Sequence, residues 1–111
     1  MRFEESKIGT VFIAKVLESR ITADVATRFK EELVGYVNMG NRSIVLDLSD
    51  VTFIDSSGLG ALIASLKGMG DDSQLVLCGA RDPVANMFKL TRMNKVFRMF
   101  DSREEALSSL G

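Results

Sequence analysis

Short apolar runs rich in β-branched residues alternate along the 111-residue chain with segments whose apolar residues recur at helical spacing. The apolar runs predict strands, because β-branched side chains pack well on a pleated surface. Four such runs occur, at residues 10–17, 43–48, 74–78 and 96–100. Turn-forming residues 7–9 further predict that a shorter strand near Phe3 forms an N-terminal hairpin with the first run.

Helical spacing follows the first two long runs. An amphipathic stripe begins after Thr22, a predicted N-cap, and continues to about Asn38. A second stripe begins at Leu59 and is broken by the glycines of residues 68–70. These patterns predict two helices that each connect one strand to the next.

Two further helices are predicted in the last third of the chain. Asp82 is a predicted N-cap with Pro83 at the first helical position, and this helix extends to about Leu90. Ser102 and Glu105 have the spacing of a capping box, which predicts the start of a C-terminal helix.

The alternation of strands and helices predicts an α/β fold. We expect one central mixed, mostly parallel sheet of four to five strands packed with about four α-helices, because parallel neighbours need helical crossovers. The N-terminal strand is expected to run antiparallel at one side. The length and the lack of a Ser/Gly-rich linker predict a single domain over residues 1–111.

Composition and charge narrow the possible functions. Fourteen basic and fifteen acidic residues give a net charge of −1, so direct nucleic-acid binding is not expected. The single cysteine, Cys78, and the absence of a signal-like start predict a cytoplasmic protein. No apolar stretch reaches the roughly 20 residues of a membrane span. The chain has no histidine, which removes the commonest general base and metal ligand, and we expect no catalytic residue, metal or cofactor.

The segment Asp55-Ser56-Ser57-Gly58-Leu59-Gly60 is the strongest candidate for a functional site, since it joins an apolar segment to a helix. Unpaired N–H groups at the start of a helix could accommodate a phosphate on a serine hydroxyl. Such a phosphate, beside Asp55, would repel a partner docked there. A structural interpretation also fits the segment: Asp55 and the serines cap the helix, and the glycines allow a tight turn.

Enzymatic interpretations of this segment are disfavoured. Its glycines do not match the dinucleotide fingerprint, because Ile63 occupies the third position. Ser56 lacks the glycine two residues earlier that a nucleophile elbow requires, and no histidine could activate it. A phosphoryl-accepting receiver domain would need an acidic cluster after its first strand, which residues 15–18 do not supply. Weak nucleotide binding at the loop remains a further alternative.

Residues 44–48 and 53–60 together resemble the hallmark of the STAS family, which includes the bacterial anti-anti-sigma factors, and weaker similarity extends over nearly the whole chain. The resemblance implies a STAS fold. It also implies that Ser56, or alternatively Ser57, is phosphorylated by a serine kinase that is itself an anti-sigma factor. The unphosphorylated form would bind and sequester that kinase, phosphorylation would release it, and a PP2C-type phosphatase would restore binding.

The resemblance leaves the output of the switch open, because some STAS proteins regulate a non-sigma target such as a cyclase, a motility or biofilm effector, or a sensory assembly. One element departs from the family pattern. Residues 19–22 match only loosely the family's Gly-x-Leu-Asp element, and Asp24 is the nearest replacement for its acid. The residues expected to bind the partner are Thr22, Asp24, Asp55, Ser57, Gly58, Leu59, Gly60, Ala61 and Ala64.

Three other patterns each allow two interpretations. Small residues at positions 60, 61, 64, 65 and 68 could form part of the docking surface or pack on a neighbouring helix of the same domain. Basic residues between positions 81 and 98 could face an acidic partner or form an ordinary solvated face. An apolar cluster between positions 87 and 97 could be an interaction patch, but we expect most of it in the core.

Overall fold

A computed structural model describes residues 1–110 of the chain. The strands and helices are, in chain order, β1 (Phe3–Ile8), β2 (Val11–Val16), β3 (Arg20–Ile21), α1 (Ala23–Asn38), β4 (Ser43–Asp47), β5 (Phe53–Ile54), α2 (Ser56–Gly68), β6 (Gln74–Cys78), α3 (Asp82–Leu90), β7 (Arg98–Phe100) and α4 (Arg103–Leu110). A 3₁₀ turn over Met93–Lys95 links α3 to β7.

The main sheet has five strands in the order β1-β2-β4-β6-β7. β1 runs antiparallel to β2, whereas all other neighbours are parallel. The predicted mixed sheet, its N-terminal hairpin and the four helices are therefore confirmed. A separate two-stranded parallel sheet of β3 and β5 was not predicted, because each of these strands has only two residues.

Alternate residues of the central strands enter two different cores. Ile44 and Leu46 of β4 belong to the larger core, which also contains residues of α1, α2 and α3. Val45 belongs to a smaller core that includes Ala106 of α4. The strand is thus buried on both faces, which explains its continuous apolar run.

An ion pair joins α4 to the sheet. Nη2 of Arg103 lies 2.8 Å from Oδ2 of Asp47, which is buried at the carboxyl end of β4. The backbone N–H of Ser49 donates to Oδ1 of Asp47 at 2.9 Å. Burial alone would raise the pKa of Asp47, but the hydrogen bonds from Ser49 and Arg103 outweigh burial and hold this pKa below its ordinary value.

The cysteine of β6 is chemically unreactive. Cys78 is buried, and burial, together with the nearby Asp47 carboxylate, raises the pKa of its thiol to about 12. The thiol therefore stays protonated at neutral pH, and the thiolate is the reactive form.

The structure corrects details of the helix boundaries. Arg81 occupies the N-cap of α3 and Asp82 is its first residue, so the prediction of Asp82 as the cap was wrong. Proline is still tolerated there, because its missing N–H would be unpaired anywhere in the first turn. The Ser102 hydroxyl accepts the N–H of Glu105 at 3.2 Å, as the predicted capping box requires. The Glu105 carboxylate, which in a capping box accepts a backbone N–H, here accepts the Ser102 hydroxyl.

The apolar cluster after α3 is only partly in the core. Phe88 and Phe97 are buried, but Leu90 is 83% exposed and Val96 is 50% exposed. The buried face of α3 contains Val84 and Phe88, and Leu90 lies two residues further along, on the opposite side of the helix. Met87 and Met93 pack against the larger core. Most of the cluster is therefore in or against the core, as expected, and Leu90 and Val96 are the exceptions. The predicted strand at residues 96–100 is correspondingly shortened to β7.

Candidate functional site

The candidate segment lies where β5 meets α2, and it is tied to the chain that enters α1. The two strands of the small sheet pair Arg20 with Phe53 and Ile21 with Ile54. The hydroxyl of Thr52 donates to the carbonyl of Ser19 at 3.0 Å, which extends the attachment by one residue. Residues 19–23 and 52–58 therefore form one surface, although they are about 30 residues apart in sequence.

Asp55 connects the N-termini of two helices. As the N-cap of α2 it accepts the N–H of Gly58 at 2.8 Å through Oδ1. Its other oxygen, Oδ2, accepts the N–H of Ala23, the first residue of α1, at 3.3 Å. The N–H of Asp55 itself donates to the carbonyl of Ile21 at 3.2 Å. One carboxylate thus satisfies unpaired N–H groups of both α1 and α2 and fixes their relative position.

Ser56 and Ser57 are the first two residues of α2, and both are exposed. The segment was predicted to lie at the start of a helix, and α2 does begin there, with Asp55 as its N-cap. The apolar stripe that begins at Leu59 does not mark this start, because the first turn of α2 is polar. Exposed hydroxyls in the first turn of a helix lie near the positive end of the helix dipole. A phosphate on either serine would therefore be electrostatically tolerated by α2.

Two of the predicted partner-binding residues are buried. Gly58 packs so closely against Ile21 that an added Cβ would overlap the Ile21 carbonyl oxygen and lie 2.9 Å from its Cγ2. Leu59 is only 5% exposed and belongs to the larger core. In this conformation Gly58 and Leu59 support the loop from beneath, and their contact with a partner stays a prediction.

Thr22 and Asp24 lie beside this loop. Thr22 occupies the N-cap position of α1, but its hydroxyl donates to Oδ1 of Asp24 and makes no capping bond. Asp55 caps Ala23 in its place. The hydrogen bond from Thr22, followed by the backbone of Asp24 and the charge of Arg20, lowers the pKa of Asp24. Asp24 is therefore an exposed negative charge next to the first turn of α2.

Sequence reasoning missed a stacked pair at the edge of the same surface. The Arg20 guanidinium lies 4.4 Å from the centroid of the Phe53 ring, which is 40% exposed. The pair forms because β3 and β5 place these two residues side by side, and so short a sheet leaves no periodic signal in the sequence. Phe and Arg side chains are enriched at protein–protein interfaces relative to the rest of the surface.

The strip of small residues on α2 is divided between two environments. Ser65 is buried, and its hydroxyl donates to the carbonyl of Ala61 at 2.8 Å. Ala61 and Ala64 are half-buried, whereas Gly60 and Gly68 are exposed. Since α2 packs against α1, packing within the chain accounts for Ser65 and partly for Ala61.

The exposed residues around the start of α2 are taken together as the candidate site and are called the switch surface below. They are Arg20, Asp24, Phe53, Ser56, Ser57 and Gly60. Among the residues that the structure describes, no cluster of three or more metal-binding side chains occurs. Over the same residues, no helix has both the length and the hydropathy needed to cross a membrane.

The family comparison agrees with the motif. The STAS domain profile matches residues 8–106, and the chain belongs to the STAS family. BtrV of Bordetella bronchiseptica, a candidate anti-sigma factor antagonist, is 29% identical over 110 residues that cover 98% of this chain and 94% of that protein. The anti-sigma-B factor antagonist of Staphylococcus aureus is 29% identical over 107 residues, covering 93% of this chain and 88% of the relative.

Solved structures confirm the fold. The crystal structure of an anti-sigma factor antagonist from Mycobacterium paratuberculosis superposes with a TM-score of 0.88 at 21% sequence identity. The superposition covers 97% of this chain and 92% of that protein. The resemblance inferred from residues 44–48 and 53–60 is thus confirmed at the level of family and fold.

Proposed function

We propose that this chain is a cytoplasmic, single-domain partner-switching regulator controlled by phosphorylation of Ser56. In its unphosphorylated form it binds and sequesters an anti-sigma factor that is also a serine kinase. Phosphorylation of Ser56 releases that partner, and a PP2C-type phosphatase restores binding. The relatives named above as anti-sigma factor antagonists support this class of activity.

The observation that carries the proposal is the position of Ser56. Its hydroxyl is on the exposed first residue of α2, directly after the carboxylate that caps two helices. A phosphate adds about −1.5 to −2 charges and several strong acceptor oxygens. The N-terminus of α2 can bear that charge, so the effect falls on a partner that meets the phosphate and Asp55 together. The chain is in this account a substrate of enzymes and has no catalytic role of its own.

The switch surface offers a partner two kinds of contact. Arg20 and Phe53 provide an aromatic and cationic pair, whereas Asp24 and the serines provide hydrogen-bonding groups. Gly60 leaves space for close approach, since nothing lies within 4 Å of an added Cβ there. Half-buried Thr22, Ala61 and Ala64 line the margin of this surface. Asp55 lies between these groups, and its carboxylate would repel a negative charge added at Ser56.

Affinity capture from the native cell lysate tests the proposal. Wild type and Ser56→Ala are expected to retain the same kinase, whereas Ser56→Asp retains much less of it because a negative charge sits beside Asp55. Ser6→Asp, which adds the same charge at an exposed position on β1, is the matched control and should capture as wild type does. Retained proteins and phosphorylated residues are identified by mass spectrometry.

Equal capture by all four baits, with no phosphate at Ser56 or Ser57, would contradict the proposal. Phosphate at Ser57 alone, with release on Ser57→Asp, would move the switch to the neighbouring residue. Both serines are exposed, so the experiment includes Ser57→Ala and Ser57→Asp.

A further inference from the structure

We infer that the turn after α3 is a second docking surface, suited to an acidic and amphipathic segment of a protein partner. The surface is defined as residues 89–98 and is called the α3 turn below. It shares no residue with the switch surface, and the inference does not rest on phosphorylation of Ser56.

The α3 turn exposes apolar side chains that the core could have buried. Leu90 is 83% exposed and Val96 is 50% exposed, whereas most large apolar side chains of the described residues are buried or half-buried. Val96 directly precedes buried Phe97, whose ring contacts that of Phe88 edge to face with centroids 5.9 Å apart. Leu90 lies on the side of α3 opposite its buried face. The core therefore leaves both apolar side chains in contact with solvent.

The α3 turn is also strongly basic. Residues 89–98 contain four exposed cationic side chains and no acidic residue: Lys89, Arg92, Lys95 and Arg98. The ion pairs found among residues 1–110 involve Arg2, Lys15, Arg42 and Arg103, so none of these four cationic side chains forms an ion pair within the described chain. The positive charge around Leu90 and Val96 is available to a partner.

Backbone contacts fix the shape of the turn. The Thr91 hydroxyl donates to the carbonyl of Met87 at 2.7 Å, and the N–H of Phe97 donates to the carbonyl of Met93 at 2.9 Å. Arg92 adopts the left-handed conformation with φ of 63°, which lets the chain reverse between α3 and the 3₁₀ turn. A preorganised surface loses less entropy when a partner binds.

A protein segment fits this surface better than a membrane does. An interfacial membrane helix needs a continuous apolar face, but the apolar face of α3 is buried through Val84 and Phe88. Leu90 and Val96 are instead two exposed apolar side chains in a segment whose charged residues are all cationic. Such a segment is complementary to an apolar groove bordered by Asp and Glu side chains.

A titration followed by amide chemical shifts tests the inference with a defined probe. The probe is a synthetic helical peptide with Leu at helical spacing and Glu at its other positions. We expect shifts concentrated at residues 89–98 and weakened by added salt. Leu90→Ser combined with Val96→Ser should weaken binding by about tenfold or more, because these anchors are lost. Ile8→Ser, which removes an apolar side chain that is 55% exposed on β1, should have no effect.

Charge is tested separately. Lys89→Glu with Lys95→Glu should abolish binding of the acidic peptide, whereas Lys7→Glu with Lys30→Glu, the same change at exposed sites elsewhere, should reduce it only slightly. A peptide with Lys in place of Glu should not bind. Ser56→Asp should bind the acidic peptide as wild type does, so failure here and failure of the Ser56 switch are distinguishable.

Several results would overturn the inference. They are no shift at millimolar peptide, shifts centred outside residues 89–98, or equal binding by the Leu90/Val96 double variant and wild type. Binding to anionic lipid vesicles without binding to the acidic peptide would assign the surface to a membrane and would also overturn it.

Discussion

At the scale of single residues, the switch surface depends on groups that fix backbone positions. The Asp55 carboxylate accepts hydrogen bonds from N–H groups of α1 and α2 and so fixes the backbone there. Gly58 has no side chain and so lets the Ile21 carbonyl approach closely. The motif therefore has a structural role that does not compete with a regulatory one. The exposed serines are free for modification because their buried neighbours provide the packing.

The two glycines of the motif should respond differently to the same substitution. Gly58→Ala forces a Cβ into the backbone of Ile21 and should lower the free energy of unfolding by about 1–3 kcal/mol. Gly60→Ala has open space and should change stability little or raise it by up to about 1 kcal/mol, since Ala favours the helix. Urea denaturation of both variants measures the difference, and equal stability of the two would contradict the close contact at Gly58.

At the scale of elements, α4 is attached to the sheet by a buried charge. Asp47 is 6% exposed and pairs with Arg103. Asp47→Asn should lower the free energy of unfolding at neutral pH by about 1–3 kcal/mol, because a charged hydrogen bond is lost in a buried site. Asp50→Asn removes an exposed partner of Lys15, 3.7 Å away, and should cost about 1 kcal/mol or less.

The free energy of unfolding that is lost in Asp47→Asn should depend on pH in one direction. The pKa of Asp47 is lowered in the folded state, so its contribution is complete above the unfolded pKa of about 3.9. It is lost as the pH falls through the lower folded pKa. The stability difference between wild type and Asp47→Asn should therefore be constant near neutral pH and shrink below about pH 4. A difference that stays constant down to pH 2 would show that the Asp47 charge is not what holds α4.

Elements with a long pattern could be predicted from the sequence, and short ones could not. Buried strands such as β4 and β6 have continuous apolar runs, and α1 has a full amphipathic stripe. The pairing of β3 with β5 involves only two residues in each strand and depends on tertiary contact. That pairing places Arg20 on Phe53, which explains why this part of the site could not be predicted. The exposure of Leu90 and Val96 within a mostly buried cluster could not be predicted, because apolar character alone does not specify the face of a short helix or turn.

At the scale of the whole molecule, the two proposed surfaces have different chemistry. The switch surface surrounds the start of α2, includes acidic Asp24 and adjoins the Asp55 carboxylate, whereas the α3 turn is basic and apolar. The net charge of −1 does not show that acidic and basic residues are grouped on different surfaces. If both proposals hold, a chain of 111 residues presents one surface that is modified and a second surface that is not.

The binding affinity of the kinase retained in the capture experiment tests the central claim most directly. Calorimetry compares the unmodified chain with a chain that carries phosphoserine at position 56. We expect phosphorylation to lower the affinity by about a hundredfold or more, because charge and bulk are added next to Asp55. The unfolding temperature should change little. Equal affinity of the two forms for that kinase, with both folded, would contradict the central claim.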